Sequence, residues 1–94
     1  MDSQILDSSM VARADGWLSA WVGEEHVMMS ADTGTCISLS ETGGRIWELI
    51  EQPRDVAGLC NELAEEYETE PTVLRGDVVM FLKQLQTEQA VTVA

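Results

Sequence analysis

One short stretch of this chain, Asp32 to Ile50, marks a change in hydrophobic period that limits the class of fold. Apolar residues before it tend to alternate, as in strands, whereas those after it recur every three or four positions, as in helices. Asp32-Thr33-Gly34 has the composition of a tight turn and leads into a short predicted strand, Thr35 to Leu39. Ser40 follows as a good helix N-cap. The sequence therefore predicts an α+β fold in which a strand runs directly into a helix.

Three antiparallel strands are predicted up to this junction. Residues Trp17 to Val22 alternate between two faces, and the turn Gly23-Glu24-Glu25 joins them to a second strand, His26 to Ser30. Thr35 to Leu39 completes this meander as its last strand. A sheet of this size is not stable alone, so the residues that follow must cover one of its faces.

Three helices are predicted after the junction. The first ends near Gln52, and Gly43 and Gly44 in its first turn predict close approach of another backbone. Asp55 can cap the second helix, and Pro71 opens the third. The apolar stripes of the second and third helices are Val56, Leu59, Cys60, Leu63 and Tyr67, and Leu74, Val78, Phe81, Leu82 and Leu85. The predicted layout, a three-stranded antiparallel sheet packed on three helices, is like that of a winged helix-turn-helix.

The chain is predicted to form one domain, residues 15–94. Its 94 residues leave room for one modest core. Residues 1–14 are expected to form a flexible or loosely docked arm, because no sustained period appears there. The tail from Ala90 to Ala94 is expected either to add a short strand or to fray. No apolar run is long enough to span a membrane and the N-terminus does not resemble a signal peptide, so a cytoplasmic location and no membrane partner are expected.

Side chains that support catalysis are scarce. His26 is the single histidine and has no partner at metal-ligand spacing. A nucleophile pair of Cys36 with His26 on adjacent strands would lack an orienting third group and an oxyanion site. The cysteines fit no CxxC motif and the glycines form no phosphate-binding loop. We therefore expect no enzyme, no metal and no cofactor.

The charge of the chain bears on its partners. Five basic residues against seventeen acidic ones give a net charge of −12, which opposes binding to a phosphate backbone. The winged-helix layout nevertheless makes a DNA-binding or regulatory domain the alternative function. The third helix offers few side chains for base contacts, namely Arg75, Lys83, Gln84 and Gln86. We expect no nucleic-acid partner, and the acidity is compatible with a basic protein or peptide partner.

Strand addition is the other route to binding. The third predicted strand is last in the meander, so an extended peptide could pair with its edge while the third helix forms the other wall of a cleft. From the pattern alone, a protected or simply short edge is the favoured interpretation.

The central stretch resembles the signature of the PqqD family, small peptide-binding proteins also called RiPP recognition elements. The matching residues there are Gly34, Leu39, Thr42, Gly43, Ile46, Trp47, Glu48 and Leu49. The resemblance extends from about Val27 to about Leu85 and includes Pro53-Arg54 and Pro71. It departs at the end of the third helix, where Gln89-Ala90-Val91 stands in place of a glycine and an apolar pair.

This resemblance implies a non-catalytic protein that captures the leader segment of a ribosomally made precursor peptide and presents it to a modifying enzyme. That enzyme would be a radical-SAM maturase, as in pyrroloquinoline quinone formation, or a leader peptidase, as in lasso-peptide pathways. The leader would add as a strand to the third strand and lie against the third helix. The residues that match these positions are Thr35, Cys36, Ile37, Ser38 and Leu39 on the strand, and Leu74, Arg75, Val78, Val79, Phe81 and Leu82 on the helix. Arg75 is expected to contact a leader carboxylate. The sequence leaves open the pathway and a homodimer formed through a sheet edge.

Overall fold

The structure is a computed structural model that describes residues 5–94 as six strands and three helices. The strands are β1 (Met10–Arg13), β2 (Trp17–Val22), β3 (Glu25–Ser30), β4 (Cys36–Leu39), β5 (Arg54–Asp55) and β6 (Val91–Val93). The helices are α1 (Glu41–Leu49), α2 (Val56–Glu66) and α3 (Pro71–Thr87). The α+β class, the N-terminal meander and the three helices are confirmed, whereas the winged helix-turn-helix description stays a prediction.

Two antiparallel sheets of three strands each are formed by the described residues. The first has the order β2-β3-β4 and is the predicted meander. The second has the order β5-β1-β6 and was not predicted. In its centre, Val11 lies opposite Arg54 on one side and Val93 on the other. The C-terminal tail therefore forms a strand.

Strand β1 lies within the segment predicted to be a flexible or loosely docked arm, residues 1–14. Residues 1–4 lie outside the described residues. Residues Met10–Arg13 pair on both sides, and Ile5 and Val11 are buried in the core, so the expectation is wrong for this part of the segment. Both partner strands come from far along the chain. A four-residue strand held by such non-local pairing leaves no sustained period in the sequence.

Arg13, the last residue of β1, ties this strand to α1. Its Nε donates a hydrogen bond to the carbonyl oxygen of Trp47 at 3.0 Å, and its Nη2 donates to the same oxygen. The guanidinium also lies over the Trp47 ring, 4.4 Å from the ring centroid. Burial lowers the pKa of Arg13, while the carboxylates of Glu51 and Glu48 act in the opposite direction. A charge-assisted hydrogen bond and a cation–π contact therefore join the two elements.

Replacing Arg13 with alanine should lower the free energy of unfolding by about 1.5 kcal/mol, because hydrogen bonds to charged groups contribute amounts of this order. Arg13→Lys should recover less than half of the loss, since an ammonium cannot donate two bonds from a planar fork. Urea unfolding followed by tryptophan fluorescence measures both values. An unchanged free energy of unfolding for the alanine variant would contradict a structural role for β1.

Side-chain caps hold the starts of the helices as the sequence predicts. Ser40 Oγ accepts a hydrogen bond from the backbone N–H of Gly43 at 3.0 Å. Asp55 Oδ1 accepts one from the backbone N–H of Gly58 at 2.8 Å. Helix α3 begins at Pro71, where the missing amide hydrogen costs nothing. The Ser40 cap fixes the point at which β4 ends and α1 begins, and the Asp55 cap does the same for β5 and α2.

The core lies between the helices and the inner faces of the two sheets. Its largest fully buried side chains are Val11, Met28, Ile46, Trp47, Ile50, Val56, Leu59, Leu63, Val78, Leu82 and Leu85. Helix α1 ends at Leu49, short of the predicted end near Gln52. Within residues 5–94, none of the helices is sufficiently long and apolar to cross a membrane.

Candidate functional site

Strand β4 has an open edge. It is the last strand of the β2-β3-β4 sheet, so only one of its sides is paired, with β3. The backbone N–H of Ser30 donates to the carbonyl of Thr35 at 2.9 Å, so the backbone carbonyl of Thr35 points toward β3. Because the backbone groups of successive residues point to opposite edges of a strand, the N–H and C=O groups of Ile37 and Leu39 also point toward β3. The N–H and C=O groups of Cys36 and Ser38 therefore point to the open edge.

The side chains of β4 divide between the two faces of the sheet. Leu39 is buried and Ile37 half-buried on the inner face, whereas Cys36 and Ser38 are exposed on the outer face. The Ser38 hydroxyl donates a hydrogen bond to a Glu25 carboxylate oxygen on β3. Along the five predicted strand residues, the backbone groups therefore point alternately toward β3 and toward the open edge.

A cleft of about 240 Å³ lies beside the C-terminal end of β4. It is bounded by the start of α1, the residues just after α2 and the first three turns of α3. Its lining residues are Ser40, Thr42, Gly43, Ile46, Tyr67, Thr69, Leu74, Asp77 and Phe81. Sites for whole small molecules usually have volumes of roughly 300–1,000 Å³. This cleft is therefore better matched to one side chain of a peptide.

Gly43 lets the ring of Phe81 approach the first turn of α1. A Cβ atom on Gly43 would lie 2.9 Å from Cε1 and 3.1 Å from Cζ of Phe81. Gly44 has a similar role toward the imidazole of His26, where a Cβ atom would lie 2.7 Å from Nδ1. The sequence predicted close approach of another backbone, but the neighbours are side chains. The pair of glycines thus allows α1 to touch α3 on one side and β3 on the other.

The predicted helix-wall residues occupy three different environments. Val78 and Leu82 are fully buried and Leu74 nearly so, which places their side chains in the core. Phe81 is half-buried and lines the cleft. Arg75 is exposed, and its Nε lies 2.6 Å from Oδ1 of Asp7. Of these residues, the structure brings only Phe81 and Leu74 to the cleft.

The remaining predicted wall residue, Val79, is half-buried and packs against the edge of the core. Asp77, which the sequence analysis did not select, lines the cleft instead. Because α-helical residues two apart lie on nearly opposite sides, Asp77 and Arg75 project from different flanks of α3. The sequence did indicate that Asp77 would lie near the site, since it precedes Phe81 by four residues and so shares its face of the helix.

Tyr67, Thr42 and Thr69 also line the cleft and were not selected as site residues. Desolvation raises the pKa of the Tyr67 hydroxyl, and the nearby carboxylate of Glu41 raises it further. The phenol is therefore neutral at physiological pH and able to donate a hydrogen bond. Residues from three separate elements meet here, which no single helical or strand period would predict.

The arginines of the described chain are engaged within the molecule. Arg13 binds the Trp47 carbonyl, and the other three form ion pairs, Arg45 with Glu66, Arg54 with Glu62 and Arg75 with Asp7. The hydrogen bond from Arg45 lowers the pKa of Glu66. The guanidinium groups that a nucleic-acid reader would extend toward phosphates are thus paired with acceptors of the same chain.

His26 and Cys36 do not form a nucleophile pair. His26 is buried on the inner face of the meander and stacks on Trp21, with ring centroids 4.6 Å apart. Cys36 lies opposite Met29, whose side chain is on the outer face. The two side chains therefore project from opposite faces of the sheet. Residues 5–94 also contain no group of three or more His, Cys, Asp or Glu side chains arranged to hold a metal ion.

Comparison with known proteins gives two matches. The model of one protein family, described as coenzyme PQQ synthesis protein D (PqqD), matches residues 25–91. A solved structure, TbiB1 in complex with the TbiA(beta) leader peptide, is similar with a TM-score of 0.77 and 26% sequence identity, over 85% of this chain and 93% of that chain. No curated protein sequence matches significantly.

Proposed function

Because the chain belongs to the PqqD family, we propose that it is a non-catalytic peptide-binding protein that recognises the leader segment of a ribosomally made precursor peptide. The similar TbiB1 structure is a complex with a leader peptide, which supports a peptide as the ligand. The observation in this chain that carries the proposal is the open edge of β4 beside a cleft of side-chain size.

The leader binds by strand addition to β4. Its backbone pairs with the outward N–H and C=O groups of Cys36 and Ser38, which supply affinity without depending on leader sequence. The predicted contact residues Thr35, Ile37 and Leu39 hold this edge in place by pairing with β3. The edge is thus a rigid template for one added strand.

The cleft supplies specificity. Phe81, Leu74 and Ile46 offer an apolar surface, while Asp77 and the Tyr67 hydroxyl offer one acceptor and one donor. One apolar leader side chain with a polar tip fits this arrangement. Val78 and Leu82 are buried in the core and hold α3, which forms one side of the cleft, in position. The contact between Arg75 and a leader carboxylate stays a prediction, which would require Arg75 to leave Asp7.

The bound leader is presented in the cytoplasm to a modifying enzyme, either a radical-SAM maturase or a leader peptidase. The net charge of −12 favours a basic leader or a basic enzyme surface in both cases. Presentation requires no acid–base group or metal, in keeping with the scarcity of catalytic side chains in the sequence. A homodimer through the β4 edge would compete with the leader for the same backbone groups.

Titration with the leader of the precursor peptide encoded beside the gene tests this proposal. We expect saturable binding, with tryptophan fluorescence changing and amide NMR shifts concentrated on residues 35–40 and on Asp77 and Phe81. A scrambled leader of the same composition is the control for charge alone. Shifts confined to α2 would contradict strand addition. The absence of binding at high micromolar concentration, with the protein folded, would favour the winged-helix alternative.

A further inference from the structure

A separate cleft of about 370 Å³ lies on the inner face of the β2-β3-β4 sheet, next to the start of α1. Its base is one row of this sheet, because Trp21 lies opposite His26 and His26 lies opposite Leu39. We call it the Trp21 cleft. Its lining residues are Trp21, Glu24, His26, Leu39, Ser40 and Glu41. Ser40 also lines the cleft beside Phe81, so the two clefts adjoin at the end of β4.

Two stacked rings form one wall of the Trp21 cleft. The imidazole of His26 covers one face of the Trp21 indole, with ring centroids 4.6 Å apart and 19° between the planes. Trp21 is nevertheless 60% exposed, so the other face of its indole is open to a ligand. His26 is buried, and its Nδ1 has no hydrogen-bond partner among the described residues. An unpaired buried polar group in a cleft wall indicates a functional role, and an open indole face can bind a cation.

Two carboxylates border these rings. Glu41 is the first residue of α1 and precedes Gly44 by three positions, so it lies on the helix face that meets His26. Glu24 approaches from the turn between β2 and β3. Neither carboxylate forms an ion pair within residues 5–94, and the nearest arginine along the chain, Arg45, pairs with Glu66 instead. A cation that matches these carboxylates must therefore come from another molecule.

We propose that the Trp21 cleft binds a lysine or arginine side chain of the precursor peptide. The inference rests on the proposed function, in which the leader pairs with the open edge of β4. Leu39 ends β4 and lines the cleft, so a peptide paired with this edge meets the cleft as it passes the end of the strand. Adjacent strands are about 4.8 Å apart, and the long stem of a lysine or arginine can extend over one such spacing.

The two clefts then select different leader side chains. The cleft beside Phe81 takes an apolar side chain, whereas the Trp21 cleft offers two carboxylates and an aromatic face to a positive charge. Charge-assisted hydrogen bonds and a cation–π contact would hold that charge. A leader recognised in this way carries an apolar residue and a basic residue at a fixed separation.

Calorimetric titration of protein variants with the leader encoded beside the gene tests this proposal. Glu24→Gln combined with Glu41→Gln should weaken leader binding by about 5- to 10-fold, because the charges are lost while the shape is kept. Trp21→Leu should weaken it by about threefold through loss of the cation–π contact. In 0.5 M NaCl the effect of the double glutamine variant should fall below about twofold, because salt screens exposed charges.

Substitutions in the leader locate the charge that the cleft binds. Replacing each leader lysine or arginine in turn by glutamine should identify one position that costs about 5- to 10-fold in the unchanged protein. The same replacement should cost less than about twofold in the double glutamine variant, because the two changes remove one interaction. These substitutions leave the protein unaltered, so they test the cleft independently of any effect of the variants on folding.

A matched control separates the cleft from the overall charge of the molecule. Glu65 and Glu88 are exposed on α2 and at the end of α3, line neither cleft and form no ion pair in the described part of the chain. Replacing both by glutamine removes the same charge as the cleft variant, and leader affinity should stay within about twofold.

Three outcomes would overturn the assignment of the Trp21 cleft. They are a leader that binds but contains no lysine or arginine, an unchanged affinity of the Glu24 and Glu41 double variant, and an equal loss in the Glu65 and Glu88 control. The last of these would assign the effect to the field of the whole protein. Absence of leader binding by the unchanged protein would overturn the proposed function instead, and the two failures are therefore distinguishable.

Discussion

Ser38→Pro should weaken leader binding by about 100-fold or more while leaving the protein folded. The Ser38 N–H points to the open edge of β4, and proline removes this donor and places its ring against the incoming strand. The leader carbonyl left without a partner costs about 1–3 kcal/mol, and steric displacement of neighbouring pairs adds to the loss. Isothermal titration calorimetry with the leader measures the change. Proline is tolerated on edge strands, so the free energy of unfolding should fall by only about 1 kcal/mol.

Two matched variants separate the backbone effect from other causes. Ser38→Ala removes the hydroxyl that binds Glu25 but keeps the N–H, so leader affinity should change by less than about threefold. Ile37→Pro removes an N–H that faces β3 and should instead destabilise the protein itself. Equal leader affinity for Ser38→Pro and Ser38→Ala would exclude strand addition at this edge.

The sequence predicted this edge well because its determinants are local. The turn at Gly34, the alternation from Thr35 to Leu39 and the cap at Ser40 lie within a few residues of each other. Each acts through its own backbone conformation. Strand bounds and the helix start were therefore predicted to within one residue.

Local sequence patterns could not predict the second sheet or the cleft, because both depend on residues far apart in the chain. Strand β1 is held by pairing with β5 and β6, and neither two nor four residues make a period that can be detected. The cleft joins Gly43, Tyr67 and Phe81 from three regions. An apolar stripe on α3 could not show which of its residues face the core and which face a peptide. Asp77 escaped selection because it is acidic, although it shares the face of Phe81.

Two glycines in helices should respond to alanine in opposite directions. Gly44 lies within α1, where a Cβ atom would be 2.7 Å from Nδ1 of His26, and that ring is only 5% exposed and stacks on Trp21. Because the ring cannot move aside cheaply, Gly44→Ala should lower the free energy of unfolding by about 2–3 kcal/mol. Gly76 lies within α3 with no atom within 4 Å of its Cβ position. Gly76→Ala should raise it by about 0.5–1 kcal/mol through helix propensity alone.

A double-mutant cycle with His26→Ala identifies the cause of the Gly44 effect. When the imidazole is absent, the added Cβ has space, so Gly44→Ala should become neutral or stabilising in that background, as it is at Gly76. Urea unfolding of the single and double variants measures the coupling between the two sites, which should be about 2 kcal/mol or more. If Gly44→Ala is equally destabilising with and without His26, the imidazole contact does not explain the requirement for glycine. The cost must then come from another neighbour of α1, and the packing of this helix against β3 would be different from that described.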